Sequence, residues 1–356
     1  LLYYGLLAGC TQGSAGLELV CRADAWHNRA KRKTTVESNS PHFVAWKRWA
    51  IAATKLLIVL VVVWFIRRTI VDAWEQLRER ECSFDLRWLA FSGVLYLLGT
   101  FSCGVFWHQT LLALGQPVRF GTAIQAYFVG HLGKYVPGKA MVVILRTGLV
   151  SGDEVRPALA AASVFFETLT MMASGACFSA AVIAIQFREQ TLWFWAAIAL
   201  MLLSGIPTFP PLFRKVVRWI ESRKNKDLGD DALAGLGYRL TLTGWAMTLV
   251  GWMFMGASLW AVLRALGAPD VAFAPQWHLY TASVSLATVA GFVSFVPGGA
   301  GVREAAMAES LHLMSPQLGG GLSLLAAILL RLVWLVAELL ISGILYIAAR
   351  RTSSRL

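Results

Sequence analysis

Two short stretches of this chain concentrate charge beside a backbone break. The first reads Gly130-His131-Leu132-Gly133-Lys134-Tyr135-Val136-Pro137-Gly138-Lys139, with Arg146 seven residues further on. The second reads Gly291-Phe292-Val293-Ser294-Phe295-Val296-Pro297-Gly298-Gly299-Ala300-Gly301-Val302-Arg303-Glu304, followed by Glu309 and His312. In both, an apolar helical run stops at aromatic-Val-Pro-Gly and a second short apolar helix begins. Proline removes an N–H and glycine bares the backbone, so each break frees hydrogen-bonding groups. The half-helix after each break presents its N-terminus there, where N–H groups and the positive end of the dipole favour an anion. Gly298, Gly299 and Gly301 give backbone access of the kind found in phosphate nests. His131 and Lys134 share a helical face, Lys139 follows the first break directly, and Arg303 and Glu304 follow the second. The chemistry expected is the holding of a lipid phosphate, closed over by Lys or Arg. A plainer alternative is that Lys134, Lys139 and Arg146 only snorkel to the membrane interface.

Three more charges lie within long apolar runs: Glu167, Arg331 and Glu338. Charges in hydrocarbon are costly and pair or line a wet cavity. Arg331 and Glu338 are seven apart on one face, so Arg331 is expected to reach Glu304 or Glu309 instead. Glu167 is expected to reach Arg146 or Lys139. Structural pairing and a role in coupling transport to protons both remain open. No nucleophile elbow, HExxH, P-loop or dinucleotide fingerprint is present. The cysteines (Cys10, Cys21, Cys82, Cys103, Cys177) form no CxxC pair, so no metal or cofactor is expected.

The elements that must carry these residues are membrane helices. Of 356 residues 57% are hydrophobic and 15% charged, which excludes an ordinary soluble domain. The net charge of +12 lies mostly in loops, which points to topology and anionic headgroups and not to nucleic acid. Residues 1–48 form a basic polar segment expected to be partly disordered; Leu7-Ala8-Gly9-Cys10 resembles a lipoprotein box, although a truncated start explains it more simply. Spans are predicted at about 49–66, 88–113, 157–185, 191–212, 240–263 and 321–348, with an amphipathic connector at 69–87 and a hydrophilic loop at 213–239. The broken pairs are predicted as helices 121–134 and 139–149, and 278–295 and 301–313. Each half is read as too short to cross, which makes re-entrant hairpins the preferred form over full crossings.

An internal repeat organises the spans. Leu-Leu-Ala-Leu-Gly-Gln-Pro at 111–117 matches Leu-Arg-Ala-Leu-Gly-Ala-Pro at 263–269, and a broken pair and a long span follow each. Two crossings separate the copies, so they should be inverted, as in transporters whose broken helices meet near the midplane. The expected fold is thus all-α: a polytopic membrane protein with two inverted repeats (about 88–185 and 240–348), each containing a broken re-entrant hairpin. These lie within a transmembrane domain over 49–348, followed by a tail at 349–356. Lys and Arg in 22–48, 213–239 and the tail fall on one side, which the positive-inside rule makes cytoplasmic for both termini.

The two break motifs, with Arg146 downstream of the first and Arg331 in the last long helix, resemble the lysylphosphatidylglycerol synthase transmembrane-region family over about residues 49–348. That resemblance implies movement of an anionic or aminoacylated phospholipid, or a polyprenyl-phosphate-linked lipid, between leaflets of a bacterial or archaeal cytoplasmic membrane. It favours Arg146, Glu304 and Arg331 over Lys139 and Arg303. It does not imply lipid synthesis; a separate lipid-modifying enzyme would be a partner, and self-association stays open. A second hypothesis is a membrane-embedded transferase, or its accessory subunit, using a polyprenyl-phosphate donor with Glu304 as its proton-transfer carboxylate.

Overall fold

A computed structural model describes residues 85–135, 140–152, 154–223, 230–268, 271–294, 296, 299 and 301–353. Every described residue lies in one compact unit, Val62–Leu356. The predicted basic segment, the span at 49–66 and nearly all of the connector lie outside the described residues. So do Pro137, Gly138, Lys139, Pro297 and Gly298, and the last three residues of the tail.

The described residues are all-α. In chain order the helices are α1 (Leu86–Ala113), α2 (Phe120–His131), α3 (Ala140–Val150), α4 (Pro157–Gln186), α5 (Thr191–Gly205), α6 (Pro210–Ser222), α7 (Tyr238–Ala265), α8 (Phe273–Val293), α9 (Val302–Met314) and α10 (Gly319–Ser353). Among them α1, α4, α7 and the run Pro316–Ala348 are long and apolar enough to cross a bilayer. Their outward faces carry large apolar side chains, such as Val94 and Leu98 on α1 and Leu339 and Leu340 on α10.

Small residues let the central helices approach closely. α1 packs most extensively on α7, and the two run antiparallel. Asp85 at the start of α1 donates its N–H to Ala265 O at the end of α7. Ser92 pairs with Ser258 at 2.8 Å, and Ser102 Oγ donates to Met247 O at 2.8 Å. Between them a Cβ on Gly99 would stand 2.7 Å from Gly251 O, too close for any other residue. α4 then packs on α7 and α8, while α10 packs on α1 and α2.

The two matching heptads close α1 and α7 in the same way. Gly115 and Gly267 take φ of 66° and 65°. Gln116 N–H reaches Leu111 O at 3.0 Å, and Ala268 N–H reaches Leu263 O at 3.1 Å. These are Schellman caps, in which glycine takes the left-handed position after the helix.

Two predicted boundaries need correction. The span at 191–212 ends early: α5 stops at Gly205, and after a 3-10 turn (Ile206–Thr208) the chain bends by 52° into α6. Pro207 and Pro210 remove two N–H donors there, which ends the straight helix. The hydrophilic loop at 213–239 therefore begins as a helix. The first limb of the second broken pair is also longer than a half-span: α8 has 21 residues, about 31 Å at 1.5 Å per residue. The first limb of the other pair, α2, has 12 residues, extended by a 3-10 turn over Leu132–Tyr135.

Candidate functional site

The first broken pair folds back on itself because two glycines let its limbs touch. A Cβ on Gly130 would sit 3.2 Å from Arg146 N, and one on Gly133 would sit 2.8 Å from Val142 N. This brings Arg146 of α3 against His131 of α2. Arg146 is 2% exposed and forms a 2.8 Å ion pair with Glu167 of α4. Tyr127 Oη donates to the other Glu167 oxygen at 2.9 Å, and the guanidinium stacks over the Tyr127 ring at 3.8 Å. A buried carboxylate with this many donors is well compensated. Of the partners weighed for Glu167, Arg146 is the one in contact among the described residues.

His131 links this pair to a second one. Its Nδ1 lies 3.3 Å from the Arg146 guanidinium; since Arg146 can only donate, this nitrogen accepts. Its Nε2 lies 3.5 Å from Tyr96 Oη and 3.7 Å from Glu338. Glu338 of α10 is 1% exposed, and one of its oxygens accepts from both Lys134 and Tyr96.

The second broken pair is tied to α10 at the other end of the same face. Arg331 is ion-paired with Glu304, so of the two carboxylates considered for it, Glu304 makes the contact. Glu309 and His312 are exposed. Glu304 Oε2 also accepts the N–H of Gly301 at 2.7 Å, which closes the N-terminus of α9. Gly299 and Gly301 do take positive φ, 65° and 81°. The expected open anion nest is nonetheless partly filled, because a carboxylate from the chain itself already serves as the cap.

Arg331, Trp334 and Glu338 follow one another along one face of α10. Trp334 stacks on Tyr96 of α1 with ring centroids 4.3 Å apart, and its indole N–H donates to Ser258 Oγ at 2.9 Å. Arg303 lies over the Trp334 ring at 5.4 Å, and Lys134 lies 5.9 Å from the Tyr96 ring. Arg303 donates to Thr288 Oγ1 at 3.0 Å and makes no ion pair among the described residues. A narrow pocket beside it is lined by Arg303, Glu304, Met307, Leu330, Arg331 and Trp334.

Among the described residues, four cations (Lys134, Arg146, Arg303, Arg331) thus share this interior with three carboxylates (Glu167, Glu304, Glu338). The difference is one positive charge. Two of the three carboxylates lie deeper than their cations: the Lys134 side chain is 22% exposed against 1% for Glu338, and Arg331 18% against 10% for Glu304, while Arg146 and Glu167 are equally buried. Sequence reasoning missed Tyr96, Tyr127 and Trp334. Trp334 had a signal, its place between Arg331 and Glu338 on one helical face; the tyrosines had none.

The chain matches the family described as lysylphosphatidylglycerol synthase TM region over residues 52–342. It belongs to that family. No curated protein matches it. The family and the four long apolar helices together make it a multi-pass, membrane-embedded lipid-handling protein.

Proposed function

We propose that the protein moves an anionic or aminoacylated phospholipid, or a polyprenyl-phosphate-linked lipid, between leaflets. The observation that carries this is the excess cation at the Tyr96–Trp334 pair. Among the described residues Arg303 is held there by a hydroxyl and a ring and not by a carboxylate, and in this reading a lipid phosphate supplies the missing negative charge. Lys134 closes from the other hairpin, with Arg331 beside it. Arg146 and Glu167 neutralise each other and act as scaffold. Of the residues considered at the breaks, Arg303 and Lys134 are therefore the principal headgroup contacts in this reading; His131 and Glu338 position Lys134, and Glu304 positions Arg331.

The transport reading also rests on two inverted repeats, about 88–185 and 240–348, within a transmembrane domain over 49–348. The antiparallel pairing of α1 with α7, their shared glycine caps, and the reciprocal packing of α4 and α10 support that arrangement. Rocking of one repeat against the other around a fixed site would give alternating access. Both termini would then lie in the cytoplasm. The transferase reading is weaker, because Glu304 is engaged by Arg331 and by the Gly301 N–H and is not poised to take a proton. The test is a leaflet-resolved assay in proteoliposomes with fluorescent phospholipids and with a labelled polyprenyl-phosphate donor. Movement of the label without a new product supports translocation; a new product supports the transferase.

A further inference from the structure

The helix after the 52° bend has three distinct faces. α6 (Pro210–Ser222) turns Phe213 inward, where it meets Phe166 of α4 with ring centroids 5.0 Å apart. Arg214 lies on the same inner side and is bound to Leu236 O at 3.0 Å through its Nε. A second face is apolar yet uncovered: Leu212, Val216, Trp219 and Ile220 are 39%, 45%, 56% and 42% exposed. A third carries Lys215 and Arg218, both exposed. At 100° per residue the inward, basic and uncovered apolar arcs follow one another around the helix, their centres about 120° apart, with Ile220 of the apolar arc next to Phe213 of the inward one.

We infer that α6 lies in the headgroup layer of the bilayer and binds anionic lipid there. A helix that only bridged to solvent would not leave four large apolar side chains uncovered, and one crossing the hydrocarbon would not carry Lys215 and Arg218 on one side. Protein on one face, hydrocarbon on the next and basic side chains toward the phosphates is the arrangement of an interfacial helix. The bend places α6 at the end of α5, an apolar helix whose Leu202 is 69% exposed. Trp219 stacks under Arg223, with the guanidinium 4.1 Å from the ring centroid, and tryptophan favours the headgroup level. The charge of the basic arc selects the occupant: a leaflet rich in anionic lipid attracts it, and each Lys or Arg near such a surface strengthens binding about fivefold. This inference is independent of what the interior site carries.

The test uses the full chain with its five cysteines changed to alanine and one nitroxide label at Val216→Cys. It is placed in nanodiscs of phosphatidylcholine alone, or of phosphatidylcholine and phosphatidylglycerol in equal parts. Accessibility to oxygen and to a water-soluble nickel chelate reports depth, read against a label at Leu202→Cys on α5. In the mixed lipid the Val216 label should favour oxygen, and Lys215→Glu with Arg218→Glu should shift it toward the chelate. A label that favours the chelate in both lipids would overturn the interfacial placement. A label equally deep in both lipids and unmoved by charge reversal would overturn the anionic preference. Far-ultraviolet helicity of the reversed variant, compared with the parent, separates a lost lipid contact from a lost helix.

Discussion

Tyr96 and Trp334 stack face to face at 4.3 Å, and each of the two broken hairpins brings a cation to that pair. Lys134 comes from the first hairpin and Arg303 from the second. The aromatic pair thus places Lys134 and Arg303, which are distant in the chain, in one electrostatic environment. Tyr96 is fixed by Glu338 and Trp334 by Ser258, so neither ring is free to drift.

Trp334 should therefore tolerate one substitution and not another. Trp334→Phe keeps a ring against Tyr96 but loses the indole N–H. Trp334→Ala removes both and exposes Arg303 on that side. Cation–π contacts are worth about 0.5–2 kcal/mol. Transport by Trp334→Phe should fall a few-fold and by Trp334→Ala more than tenfold, measured as initial rates in proteoliposomes.

The Arg146–Glu167 pair should behave as scaffold. Breaking a buried pair from one side typically costs about 3–5 kcal/mol, because a charge is left alone. Arg146→Met should lower the unfolding temperature in detergent sharply. The double change Arg146→Met with Glu167→Leu should recover much of that loss. If the double variant is no more stable than the single one, the charge pair is not the scaffold argued here.

Close approach of the hairpin limbs gives a steric prediction. Gly130→Ala would press a methyl group into Arg146, while Gly121→Ala meets nothing within 4 Å. The first should destabilise by about 1–3 kcal/mol, the usual range for overpacking, and the second should not. Thermal unfolding of the two variants side by side checks this.

The paired caps give another. Gly115 and Gly267 are both left-handed and both open, so an added methyl group clashes with nothing. Their alanine variants should each lose about 1–2 kcal/mol from the backbone alone. Similar losses are expected for both in chemical unfolding, since the two caps share one geometry.

Much of this fold was legible because membrane helices announce themselves by long apolar runs. The heptad at 111–117 and its copy at 263–269 marked the ends of α1 and α7, because glycine takes the left-handed position of the cap without the strain a side chain brings. What was not legible depends on which faces meet. Tyr96 sits in an apolar helix with nothing in its neighbours to mark it, and only the packing of α1 on α10 brings it to Glu338. The predicted span was carried through Pro207 and Pro210 to residue 212, although the two prolines remove the donors that a straight helix needs there. Glu304 was read as a ligand or proton carrier; its place three residues after Gly301, where it reaches back to cap α9, is a local geometry that the anion-nest argument overlooked. Arg303 was ranked below Arg146 on resemblance; in the structure Arg146 is ion-paired with Glu167, while Arg303 meets Thr288 and the Trp334 ring.

The most direct measurement is lipid movement by Arg303→Gln and Arg303→Lys in the leaflet-resolved assay, with unfolding temperatures taken on the same preparations. Removing the charge should abolish movement while the fold survives, and lysine should restore part of the rate. Unchanged movement by Arg303→Gln, at unchanged stability, would contradict the assignment of the unpaired cation to the lipid headgroup.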